Sequence, residues 1–175
     1  MADSGSGDEV DRILDQWRRE RPDLDPSPIG VFGRLARIAI SRQAILNRFM
    51  GDYELSPASF DVLANLRRSG VPHRKTPSEL AASSLLTSGG ITFRLDRLEQ
   101  SGLIRRVPSP DDRRVMYAEL TDKGLTLIDQ VVTAHLDLER ELLEDLTVAE
   151  RDTLAGLLAR LEHALRTTAN GSRTR

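Results

Sequence analysis

Cysteine is absent from all 175 residues, which rules out thiolate nucleophiles, disulfide frameworks and thiol redox sensing. Histidine is scarce: His73, His135 and His163 lie far apart and offer no zinc-ligand spacing. Aromatic residues make up only 4%. No stretch approaches the roughly 18 consecutive apolar residues of a membrane span. Met1 to Asp8 is small and polar, unlike a signal peptide, so a cytoplasmic protein without a membrane partner is expected. No glycine-rich phosphate loop is present, and no nucleophile stands beside a base. The expectation is therefore a protein that is not an enzyme and needs no cofactor and no metal.

What is present is a helix-forming composition. Hydrophobic residues reach 39%, drawn mainly from Leu, Ile, Val and Ala, and charged residues reach 30%. The net charge of -2 conceals a strong asymmetry. Residues 67–114 hold ten Lys/Arg against five Asp/Glu, whereas residues 122–152 hold three against nine. A basic centre followed by an acidic helical tail predicts one face for phosphate and another for a different contact.

The chain divides by its stop signals. Residues 1–7 read as a disordered tail, and 8–27 as an extra N-terminal helix plus a proline-rich linker, with Val10, Ile13, Leu14 and Trp17 as the helix stripe. Residues 28–55 carry a helix from Pro28 to Met50 that is too apolar to be fully solvated. In 56–121, Ser56-Pro57 caps a helix ending before Gly70, and a basic loop, Arg67 to Lys75, follows. Thr76-Pro-Ser-Glu79 opens a short helix to about Ser83. A second helix, Gly89 to Gln100, ends at Gly102 and packs through Ile91, Leu95 and Leu98. Two short strands, Leu103–Val107 and Val115–Leu120, flank a polar turn. Residues 122–168 form two acidic amphipathic helices, the first to about Asp145 and the second opened by the Thr147/Glu150 capping box, and 169–175 read as a frayed tail.

Helix, basic loop, short helix, turn, second helix and an arginine-tipped hairpin, in that order, make a winged helix-turn-helix in a mainly α protein. The second helix turns Ser88, Gly89, Thr92, Phe93 and Arg97 outward, with Thr87 just before it; small residues at its start let it sit deep in a major groove. Arg113 and Arg114 at the hairpin tip suit a narrow minor groove. Arg67, Arg68, Arg74 and Lys75 suit phosphates, although charged loop residues are commonly just solvated. Leu138, Leu142, Leu143 and Leu146, then Leu154, Leu157, Leu158, Leu161 and Leu165, form apolar stripes that either pack within the chain or meet a second copy. Two recognition helices on one duplex need a two-fold axis, which favours the homodimer.

Residues 88–104, Ser-Gly-Gly-Ile-Thr-Phe-Arg-Leu-Asp-Arg-Leu-Glu-Gln-Ser-Gly-Leu-Ile, resemble the recognition helix of the MarR family of transcription regulators. Residues 110–124 resemble its wing, in which Asp112, Arg114, Leu120 and Thr121 fit the family pattern without a gap. The resemblance implies a dimer held by terminal helices, bound to a pseudo-palindromic operator on double-stranded DNA. Asp112 is expected to be a structural residue of the wing.

Four further residues form a candidate effector set. Arg94 stands beside the inward stripe, Asp61 interrupts an apolar helix, Arg106 lies on the first wing strand, and Trp17 is the sole tryptophan. The set resembles the urate-responsive branch of the family, which implies that Trp17, Asp61, Arg94 and Arg106 bind an anionic purine such as urate and release a repressor from DNA. Arginine forks suit planar oxyanions and indole suits a purine ring. Each residue also has a plainer reading: an Asp61–Arg94 structural ion pair, Arg106 as a phosphate contact, Trp17 as a packing anchor. The alternatives are a MarR-type regulator of a phenolic or antibiotic-like ligand, or a helical protein-interaction module without DNA binding. Steep salt dependence of duplex binding separates the last of these from the rest.

Overall fold

The first helix opens at Asp8, whose carboxylate accepts from the Asp11 backbone N–H at 2.9 Å while Asp11 reciprocates at 3.1 Å. In a computed structural model, which describes residues 7–83, 90–110, 112 and 114–171, this capping box opens α1 (Glu9–Glu20). The chain continues through α2 (Ser27–Gly51), α3 (Pro57–Arg68), β1 (Arg74–Lys75) and α4 (Pro77–Ser83). There follow α5 (Ile91–Gln100), β2 (Ile104–Pro108), β3 (Met116–Leu120), α6 (Asp122–Glu141) and α7 (Val148–Gly171). The protein is mainly helical, with one small antiparallel sheet in the order β1-β3-β2.

One core joins the central elements. Val62, Leu63 and Leu66 of α3 pack with Leu80 of α4, Leu95 and Leu98 of α5, Ile104 of β2, Ala118 and Leu120 of β3, and Ile128 and Val131 of α6. Each of these side chains is buried. Each fully buried aliphatic side chain contributes about 1.5–3 kcal/mol relative to exposure. Local signals set the element starts: Ser56 Oγ accepts the Ser59 N–H at 3.1 Å ahead of Pro57, and Thr76 with Glu79 forms a capping box at α4. The register Ile104↔Leu120, Arg105↔Glu119, Arg106↔Ala118 seats the wing on the lobe.

The joint between the wing and α6 depends on one glycine. Thr121 Oγ1 accepts the Gly124 N–H at 3.1 Å and donates to Gly102 O at 2.7 Å. A Cβ on Gly124 would lie 1.9 Å from the Leu103 carbonyl oxygen, so no side chain fits there without backbone movement.

The ends of the chain are built differently. Helix α1 packs on α2 through Val10 and Leu14, beside Gly33, and Arg34 of α2 grips Asp8 at 2.9 Å and Asp11 at 2.8 Å. Helix α7 buries no described side chain. Its Leu154, Leu157, Leu158 and Leu161 face Val31, Leu35 and Ile38 of α2 across an open apolar cleft of about 500 Å³.

Several boundaries differ from the sequence reading. Arg74 and Lys75 form a strand against β3, not part of a loop. A two-residue strand has no alternation of its own, and only a distant partner creates it. Helix α6 stops at Glu141, short of Asp145, and Arg151 donates to the carbonyls of Leu146 at 2.9 Å and Leu143 at 2.7 Å in the turn that follows. Helix α7 runs past Thr168 to Gly171, into the segment expected to fray.

Candidate nucleic-acid interface

Helix α5 is held from one side. Leu95 and Leu98 are buried and Ile91 partly so, while Thr92, Phe93 and Arg97 are exposed on the far side. The Arg97 guanidinium carbon lies 4.9 Å from the centroid of the Phe93 ring, one helical turn away. Gly90 takes the left-handed conformation (φ 79°) as the chain enters the helix, a geometry that favours glycine. Thr87, Ser88, Gly89 and Arg113 lie outside the described residues.

The wing tip is organised by Asp112. Its carboxylate accepts the Arg114 backbone N–H at 2.9 Å, and its carbonyl accepts the Val115 N–H at 2.9 Å. Arg114 is exposed. At the base of the wing, the buried Glu119 takes the Arg105 guanidinium and lies 3.9 Å from that of Arg74, which also sits 4.8 Å over the Tyr117 ring.

The four basic residues read as phosphate grips separate into distinct roles. Lys75 turns inward, and its ammonium donates to Asn65 Oδ1 at 2.7 Å and Ser83 Oγ at 3.2 Å. Asn65 is fully buried, so the lysine completes a buried polar cluster and ties β1 to α3 and α4. Arg68 donates to the Ser83 carbonyl at 2.8 Å, satisfying the last turn of α4. Arg67 pairs with Asp129 of α6 at 2.6 Å, with half-exposed side chains on each side. Such a pair is worth about 0–1 kcal/mol and yields readily to a phosphate. Sequence spacing gave no sign of the Asp129, Asn65 or Ser83 partners, because each lies on a different element from the residue it meets.

The effector residues do not gather on one face in a single chain. Asp61 is buried in α3, which packs against α5, and Arg94 is half-buried on α5. Arg106 instead pairs with Asp96, sits 3.6 Å from Glu99, and donates its backbone N–H to Glu99 Oε1 at 3.2 Å. Arg94 and Asp96 point about 200° apart around the helix axis. Arg94 and Arg106 therefore belong to opposite flanks of α5. Trp17 lies at the end of the Val10/Leu14 stripe of α1 and stays 46% exposed.

One cluster escaped the sequence reading. His135 of α6 stands edge-on to Phe60, with ring centroids 4.9 Å apart, and its Nε2 is 3.3 Å from Glu139, which also accepts from Arg42 of α2 at 2.9 Å. The four residues join α2, α3 and α6 where the lobe meets the terminal helices. Among the described residues, no group of His, Asp and Glu is arranged to hold a metal ion, and no helix is long and apolar enough to cross a membrane.

Known proteins share this arrangement. A model of the MarR family matches residues 55–116, which run from just before α3 into β3. The HTH-type transcriptional regulator PecS of Dickeya dadantii (strain 3937) is 42% identical over 157 residues, spanning 90% of this chain and 95% of that protein. This chain belongs to the MarR family. A crystal structure of a mutant MarR from E. coli complexed with operator DNA is similar in fold, with a TM-score of 0.64, 28% identity, and coverage of 83% of this chain and 96% of that one. Bordetella bronchiseptica BpsR, studied for regulation of its DNA binding by 6-hydroxynicotinic acid, gives a TM-score of 0.64 at 26% identity, covering 74% of this chain and 91% of that one. As a MarR-family protein the chain is a DNA-binding transcriptional regulator and not an enzyme. Its winged lobe is the part that the family model covers.

Proposed function

We propose that two copies of this chain pair through α2, α6 and α7 and bind a pseudo-palindromic operator as a repressor, with one α5 in each of two successive major grooves. The observation that carries this reading is the contrast on α5: Leu95 and Leu98 anchor it while Thr92, Phe93 and Arg97 stay exposed. Arg114 reaches the flanking minor groove from the wing tip, where the phosphate potential is most negative. Pairing covers the leucines of α7, which a lone chain leaves in water. Occlusion of a promoter then accounts for repression.

The DNA-bound state is released by a small planar anion, a purine such as urate. Asp61 supports this reading, because it places a buried carboxylate on α3, the helix that packs against α5. Arg94 sits on α5 itself, so an anion that takes the Arg94 fork acts directly on the recognition helix. Arg106 joins only when the anion competes with Asp96 and Glu99, and Trp17 supplies a stacking face. The regulation of BpsR by 6-hydroxynicotinic acid fits an aromatic acid as the ligand class.

The test is a labelled duplex from upstream of the protein's own gene, titrated at several salt concentrations. Specific binding with log K falling linearly against log salt, at two chains per site, is the expected result. Salt-insensitive or absent binding removes the reading. Urate and xanthine are then added to the complex. No release at millimolar concentration ends the purine assignment and leaves the operator assignment standing.

A further inference from the structure

Phe93 is 61% exposed, the most exposed aromatic side chain among the described residues. Most other exposed large hydrophobics lie on α2, the end of α6 and α7, where a second copy covers them in the proposed dimer. Phe93 lies instead on the outward face of α5, beside Thr92 and Arg97. A phenyl ring there costs solvation in the free protein and repays it only against an apolar surface.

Arg97 is held by a ring and not, among the described residues, by a carboxylate. Among the lobe's arginines, Arg67, Arg74, Arg105 and Arg106 each have a carboxylate within ion-pair distance. Arg97 has none among the described residues, and its guanidinium lies over the Phe93 ring. Stacking restrains the arginine and leaves the edge of its fork open.

We infer that Phe93 and Arg97 act as one stacked reading unit for two neighbouring base pairs, Phe93 on the C5-methyl of a thymine and Arg97 on O6 and N7 of a guanine. The inference rests on α5 being the major-groove helix. The thymine methyl is the one apolar base feature of that groove, and guanine presents the acceptor pair that fits an arginine fork. The stack sets the spacing. Its 4.9 Å separation lies between one and two base steps of about 3.4 Å each, which places the two contacts on adjacent pairs. Without the ring, the arginine is free to reach phosphates, so Phe93 fixes the register as well as reading a base.

The experiment uses the full chain and a half-site selected from a randomised duplex library. Each thymine is replaced in turn by deoxyuridine, which removes only the methyl, and each guanine by 7-deazaguanine, which removes N7. One thymine per half-site is expected to matter, with a loss of about fourfold for one methyl. That loss disappears in Phe93→Ala and Phe93→Ser, and 5-methylcytosine at the same position restores part of the affinity. An adjacent guanine loses about tenfold or more with 7-deazaguanine in the wild type and nothing further in Arg97→Ala. Circular dichroism checks that α5 survives each substitution, and the modified duplexes probe the unaltered protein in any case. Specific, salt-dependent binding with no thymine methyl coupled to Phe93 overturns the inference and spares the major-groove reading. Failure to select any duplex overturns the two together.

Discussion

The winged lobe and helix α7 solve opposite problems. In the lobe, six elements converge on one core, and Leu63, Leu66, Leu80 and Ile128 are completely enclosed. Helix α7 is twice as long as α5, is capped by Thr147 and Glu150, and buries nothing. The lobe therefore carries its stability within one chain, whereas in the proposed dimer α7 gains stability from the second copy and so depends on concentration. The proposed dimer thus makes DNA reading and pairing separable in energy even though they are joined in the chain.

The sharpest way to break the comparison is at the Gly124 joint. Gly124→Ala is expected to cost more than about 2 kcal/mol, because the clash is with backbone, and to lower the melting temperature of the lobe. A melting temperature within a degree or two of wild type would show that the α6 start relaxes without harm. Next in size is α7: Leu157→Glu with Leu158→Glu should convert pairs to single chains in analytical ultracentrifugation while the lobe still melts cooperatively. If the lobe unfolds with the pair, the two regions are not independent.

A smaller effect separates positioning from contact within the lobe. Lys75→Met removes the ammonium donor from the Asn65–Ser83 cluster, leaving the bonds those two make with each other, and should cost about 1–3 kcal/mol of stability. The salt slope of DNA binding should stay unchanged, since no phosphate contact is removed; a slope lower by about one marks Lys75 as a phosphate ligand instead. The smallest expected effect is at α1. The Asp11 N–H and the Arg34 guanidinium hold the Asp8 carboxyl below the usual range. Its contribution to α1 docking is therefore complete above the ordinary value of about 4 and lost as pH falls through the lowered one. Trp17 emission, recorded from neutral to acid pH, should shift before the lobe unfolds; a shift already complete at pH 6 would exclude Asp8 as its cause.

Much of this was legible in the chain, because the strongest signals are local. Ser56-Pro57, Thr76 with Glu79 and Thr147 with Glu150 mark helix starts within four residues, and the Ile91/Leu95/Leu98 stripe sets the inner face of α5. What stayed hidden depends on partners that only folding brings together from different elements. Lys75 reads as a free cation until Asn65 and Ser83 are beside it, β1 exists only through β3, and Arg106 looks available until Asp96 and Glu99 claim it. The effector set shows the same limit: residue types point to an anion, but a single chain sets Arg94 and Arg106 on opposite sides of one helix.

The hold of Asp96 and Glu99 on Arg106 has a consequence for how an operator is left. Those contacts tie the first wing strand to the recognition helix through half-exposed ion pairs of about 0–1 kcal/mol each and one backbone bond to Glu99, which favours joint movement of the two. In the proposed complex, loosening either the major-groove or the minor-groove grip then disturbs the other. A spacer change that misplaces the wing by a single base pair should forfeit the helix contacts as well, giving an abrupt loss of occupancy where a hinged reader would decline gradually.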